Sequence, residues 1–159
     1  MILKRIARRI IRMSKSAIGC IRLHFKAKPK FVRETKNVIT LINTQQGSDN
    51  LGDNIIMKYA RRALDDILQG EVIYEVASHC PASNKDIETM LSSKAVIVCG
   101  TNFLSAHMEE YGVWKFDERM INIKNMVLLG VGWAGGEVQQ DSIPAMFLGN
   151  CLRTIICIQ

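Results

Sequence analysis

The chain has 159 residues, 48% of them hydrophobic, 23% charged and 6% aromatic. That mix excludes collagen-like, low-complexity and disordered classes, and it admits one globular domain able to bury roughly 68–70% of the surface its unfolded chain exposes. The net charge of +6 is uneven: residues 1–36 hold 12 of the 21 Lys+Arg and one acid, Glu34, so the remaining body is acidic and a nucleic-acid partner is excluded.

From Ile2 to Phe25, apolar residues recur at Ile2, Ile6, Ile10, Met13, Ala17 and Ile21, with Arg5, Arg8, Arg9, Arg12 and Lys15 between them. This predicts a basic amphipathic helix. Its longest charge-free apolar run, Ala17 to Ile21, is too short for a signal-peptide core or a span. Residues 2–25 are therefore read as lying on an anionic membrane surface, packing on their own domain as a solvated basic helix, or serving as a transit peptide. A linker follows at Lys26 to Lys30.

The period then changes. Val38 to Ile42 reads as a buried strand, Gln45 to Asp53 as a Gly-containing loop, and Asn54 to Leu68 as a helix with Asp53 suited to cap it and Gly70 to end it. Val72 to Ala77, Ala95 to Cys99, Met126 to Val131 and Thr154 to Ile158 read as further strands. The intervening helices are Asn84 to Leu91, a stretch around His107 to Ile123, and Ser142 to Leu152. Strands without in-and-out alternation, separated by helices, predict an α/β fold: a Rossmann-like parallel sheet flanked by helices. With the strand order 3-2-1-4-5, a ligand crevice is expected between the first and fourth strands, lined by loops 45–53 and 132–137. The five cysteines are odd in number, lack CxxC spacing and mostly lie in apolar runs, which predicts reduced thiols in a cytoplasmic protein.

Three loops at strand ends are candidates for chemistry. Gln45 to Asp53 precedes a helix N-terminus, where backbone N–H groups favour an anion, although it is neither a Walker A loop nor a GxGxxG turn. Asp49 and Asp53 oppose an anion there unless they cap backbone or hold a substrate hydroxyl. Gly100 to Ser105, followed by His107, sets small polar groups and one titratable group at the sheet edge. Trp114 reads as core or a sugar-stacking platform. Gly130 to Gly136 gives close backbone approach, with Trp133 as an apolar wall for a ring or sugar face. The chain has no HExxH, GxSxG or Cys/His cluster of metal spacing, so no metal site is expected.

Taken together, Gly47-Ser48-Asp49-Asn50-Leu51-Gly52-Asp53-Asn54-Ile55-Ile56, Gly100-Thr101-Asn102-Phe103-Leu104-Ser105 with Met108 and Trp114-Lys115, and Val127-Leu128-Leu129-Gly130-Val131-Gly132-Trp133 resemble the N-terminal half of the polysaccharide pyruvyl transferase family. The likeness covers residues 37–159, leaving residues 1–36 outside it as helix and linker. It implies the N-terminal domain of a GT-B-type fold that moves a pyruvyl group from phosphoenolpyruvate to a sugar hydroxyl in cell-surface polysaccharide synthesis, with no cofactor beyond that donor. It further implies Asn50, Gly52, Asp53, Thr101, Asn102 and Trp133 as substrate-binding residues facing a sugar or polysaccharide acceptor. The family's donor-handling Arg and His come largely from a second domain, so the chain is expected to be inactive until that domain or a partner chain completes the cleft. Catalytic residues are not assigned. The alternatives are a non-catalytic, membrane-associated module binding sugar or anion, and a fragment of a GT-B glycosyltransferase; the expected location is cytoplasmic, peripheral on the inner membrane face.

Overall fold

The computed structural model describes residues 38–151 other than 109, 111, 138 and 141. The basic helix 2–25, the linker and the strand 154–158 lie outside the described residues. Four strands, β1 (Val38–Asn43), β2 (Val72–Ala77), β3 (Ala95–Cys99) and β4 (Met126–Leu129), form one parallel sheet. Helices α1 (Leu51–Leu64), α2 (Asn84–Ser92) and α3 (Ile143–Cys151) and a 3-10 turn at Glu118–Asn122 complete the described elements. The α/β class follows directly.

The strand order is β2-β1-β3-β4, with Asn43 in register with Ala77 and Cys99 with Leu129. This corrects the expected order 3-2-1-4-5. The connection through α2 carries the chain from β2 back past β1 to its other side, so strand order reverses between β1 and β3 and the crevice belongs there. β1 sits centrally and is buried along its whole length, which is why its apolar run shows no alternation.

The two faces of the sheet are packed by different helices. Ile39, Leu41, Ile97 and Cys99 meet Met57 and Leu64 of α1. On the opposite face, Ile42, Val76, Val96 and Val98 meet Ile87 and Met90 of α2, Met120 of the 3-10 turn and Phe147 of α3. Thr40 also points to this side, where its hydroxyl lies 2.7 Å from that of Ser93.

Two elements depart from expectation. Helix α1 starts at Leu51 because Asn50, in extended backbone, accepts the Gly52 N–H at 3.0 Å through its side-chain oxygen; Asp53 falls in the first turn and is not the cap. The stretch around His107 to Ile123 is a series of turns ending in the 3-10 segment rather than a helix. Met108, Trp114 and Phe116, at spacings of six and two, would point in different directions on a helix. Packing decides instead: Trp114 is buried with ring centroids 5.3 Å from Phe103, 5.2 Å from Phe116 and 5.7 Å from Phe147, so Trp114 is core and not a stacking platform.

Cys99 is a buried free thiol, whereas Cys80 is disulfide-bonded, which corrects the expectation of five reduced thiols. Cys80 follows His79 in a turn beyond β2 and is not inside an apolar strand run. Among the described residues no helix is long and apolar enough to cross a membrane.

Candidate functional site

The crevice is built at the carboxyl ends of β1, β2 and β3. At the end of β1, the side-chain oxygen of Asn43 accepts the N–H groups of Gln45 at 2.8 Å and Gln46 at 3.3 Å, which turns the chain, and Gly47 follows at φ +81°. The Ser48 hydroxyl then accepts the Asn50 N–H at 3.1 Å and donates to the carboxylate of Asp53. Asp53 is buried, and Nε2 of His79, from the turn after β2, lies 3.4 Å from the same carboxylate oxygen. Ser48, Asp53 and His79 thus form one polar group beneath the first turn of α1.

The loop is anchored from below by a second network. Arg61 of α1 donates to Glu75 of β2 at 2.7 Å and to Gln45 at 3.2 Å, while Glu75 also accepts from Asn43 at 2.9 Å and Gln46 at 2.8 Å. Each donor finds an acceptor, so Glu75 ties the first loop, α1 and β2 together. A cavity of about 230 Å³ opens beside this network between α1 and β2, lined by Leu41, Arg61, Leu64, Leu68, Ile73 and Glu75. It lies toward the far end of α1, away from the crevice.

Strand β3 ends in two successive residues with positive φ, Gly100 at 63° and Thr101 at 62°. For a β-branched residue such a backbone is strained, by about 1–3 kcal/mol. It is held by the Thr101 carbonyl, which accepts the N–H groups of Gly132 at 2.9 Å and Phe103 at 3.0 Å. From there loops 101–106 and 131–136 pair like a continuation of the sheet, with a parallel bridge between Leu104 and Trp133 and an N–H of Ala134 donated to Leu104 at 2.7 Å. The approach is close enough that a Cβ at Gly132 would strike the side-chain oxygen of Asn102.

The six expected binding residues therefore fall into two groups. Asn50 and Gly52 stand at the start of α1, with Asp53 buried below them. Thr101, Asn102 and Trp133 are held together in the paired loops, where Trp133 is 38% exposed and donates Nε1 to the Gly136 carbonyl at 3.2 Å. The groups are joined at Gly100, where any Cβ would collide with Ile56 of α1. The loop 132–137 accordingly packs on the β3 loop and reaches the first loop through it, since β4 lies one strand further out than the order 3-2-1-4-5 assumes.

The electrostatics favour hydroxyls over an anion at this edge. The Gly52 and Asp53 N–H groups of the first turn are satisfied by Asn50, and Asp49 and Asp53 add negative charge where the helix end is positive. Two arginines are engaged: Arg61 with Glu75, and Arg119 of the 3-10 turn with Asp117, whose carboxyl is held below its ordinary value chiefly by the Arg119 hydrogen bond. Cys99 is fully buried, and burial pushes its thiol up to about 12, with Arg61 pulling it down and Glu75 pushing it up, which disfavours the thiolate. His107 is exposed, its N–H donated to the Ser105 hydroxyl at 3.1 Å. Among the described residues no group of three or more His, Cys, Asp or Glu could hold a metal ion.

Sequence reading passed over Ser48 and His79 as a pair with Asp53. The signal was available: His79 follows the end of β2 by the same rule that singled out the loops after β1 and β3. No protein-family model, curated protein or solved structure matches this chain.

Proposed function

We propose that residues 37–159 are the N-terminal, acceptor-holding domain of a polysaccharide pyruvyl transferase of GT-B type, which moves a pyruvyl group from phosphoenolpyruvate to a sugar hydroxyl. The observation that supports this reading is the joining of the three resemblance-bearing segments at one sheet edge through Gly100 against Ile56 and Gly132 against Asn102. Asn50, Thr101 and Asn102 supply hydrogen-bonding groups for sugar hydroxyls, the backbone at Gly52 lets an acceptor approach closely, and Trp133 supplies an apolar wall for a ring face. Asp53 acts through Ser48 and the first loop as a positioning residue.

Stabilising the donor's phosphate and carboxylate requires cations aimed at them. Arg61 and Arg119 are already paired with carboxylates and Arg62 stands in the last turn of α1, far from the first loop, so donor handling falls to a second domain or partner chain. The same pairing favours a second reading, in which the domain alone binds sugar hydroxyls without turnover. Residues 2–25 hold it against the anionic inner face of the cytoplasmic membrane.

Calorimetric titration with candidate acceptor oligosaccharides tests both. Asn102→Ala is expected to weaken acceptor binding about 10-fold with an unchanged circular dichroism spectrum. Release of inorganic phosphate from phosphoenolpyruvate, with the acceptor and a second domain or partner chain supplied, selects the transferase. The reading fails if no hydroxylated acceptor binds, or if Asn102→Ala and Trp133→Ala leave binding untouched.

A further inference from the structure

Helix α1 carries an apolar stripe that nothing among the described residues covers. Leu51, Ile55 and Tyr59, at i, i+4 and i+8, are 77%, 58% and 62% exposed, while Met57 and Leu64 on the other side of the helix are buried against the sheet. The helix is thus apolar on two faces, and only one is used by its own domain. At the two ends of the exposed stripe stand opposite charges, Asp49 just before α1 and Arg62 in its last turn, both exposed and without a hydrogen bond or ion pair among the described residues.

This pattern is complementary to itself when reversed. With a two-fold axis at Ile55, two antiparallel copies of α1 set Ile55 on the partner's Ile55, Leu51 on the partner's Tyr59, and Arg62 opposite the partner's Asp49, because these pairs lie nearly equal numbers of residues to either side of position 55. Along the helix the Leu51 to Tyr59 stripe measures about 12 Å and Arg62 falls about 10 Å from its centre, while Asp49 stands in the loop just before the Asn50 cap. We infer that α1 is the self-association surface of this protein, pairing antiparallel with α1 of a second copy.

The three side chains and their margins offer on the order of 500 Å² per copy, at the lower end of what a specific interface buries, so the dimer forms in the micromolar range. In it the partner's Tyr59 stands beside Leu51, next to the first loop of the crevice. Self-association does not depend on the activity proposed above.

Sedimentation equilibrium of the full chain, from about 1 to about 200 μM in physiological salt, tests the inference. A reversible monomer–dimer equilibrium is expected, starting from a 17.9 kDa monomer. Ile55→Asp should weaken it at least about 10-fold with an unchanged circular dichroism spectrum. Asp49→Arg and Arg62→Asp should each weaken it, and the double exchange should restore it. A second probe is Ile55→Cys, which should crosslink to its own partner under mild oxidation. The inference is overturned if the wild type stays monomeric across that range, if the dimer survives Ile55→Asp, or if the double exchange is no better than either single one. Tight self-association lost on removing residues 2–25 and insensitive to Ile55→Asp would assign the contact to that segment.

Discussion

The two faces of the sheet are held by different physics. Opposite α1, a continuous apolar core joins α2, the 3-10 turn and α3, with Trp114 at the centre of a cluster of aromatic rings. Under α1 the buried cluster is smaller, and a hydrogen-bonded network adds to it, centred on the carboxylate of Glu75 with its partners Arg61, Asn43 and Gln46. The thick side supplies stability without direction, since dispersion and hydrophobic burial are insensitive to angle. The thin side supplies direction: it fixes where the first loop and the start of α1 stand relative to β3, which is where the candidate site lies.

This contrast predicts unequal costs. Trp114→Ala should destabilise the fold by about 3–5 kcal/mol in urea unfolding, because it empties the middle of the aromatic cluster. A loss under about 1 kcal/mol would mean that the rings do not form one core. Glu75→Gln should cost about 1–2 kcal/mol, since three donors lose a charged acceptor. Its clearer mark is faster amide hydrogen exchange at residues 45–53, with the α2 side unchanged; uniform acceleration of both faces would break the distinction.

The smallest effect is a dependence on pH. The Tyr74 hydroxyl donates to Asp86 at 2.6 Å, and burial first, then that bond and the neighbouring charge, raise its pKa above the ordinary 10.0. A raised folded-state value contributes stability below pH 10 that is lost as pH climbs through and beyond it. The denaturation midpoint should fall from pH 9 to 11 in the wild type and fall less in Tyr74→Phe. Equal alkaline slopes would remove Tyr74 from the account.

The elements that sequence reading placed well are those decided locally. The apolar runs of β1, β2 and β3 and the start of α2 at Asn84, which the reciprocal bonds of Ser83 and Asp86 fix, each follow from a few adjacent residues. The end of α1 does not: the helix stops at Leu64 with Asp65 as its cap, short of the expected Leu68, and Gly70 follows in a later turn. Helix α1 was displaced because Asn50 and Asp53 are both good caps by type, and the choice between them rests on Ser48 and His79 occupying the Asp53 carboxylate. The turns around Trp114 were missed because several apolar residues in 17 resemble a helix until one asks which core they share. The candidate site was legible as three loops, yet Ser48, His79 and the strained Thr101 backbone became visible only once the loops met.

By itself the sequence determined the α/β class, the charge divided between residues 1–36 and the body, and the glycines that permit close approach, because periodicity, charge and backbone freedom are properties of neighbouring residues. Tertiary structure alone decided the order β2-β1-β3-β4, the engagement of Arg61 by Glu75, the burial of Asp53 and the exposure of one α1 face. Those depend on which strands become neighbours, and a buried parallel strand carries the same apolar run whichever strand lies beside it.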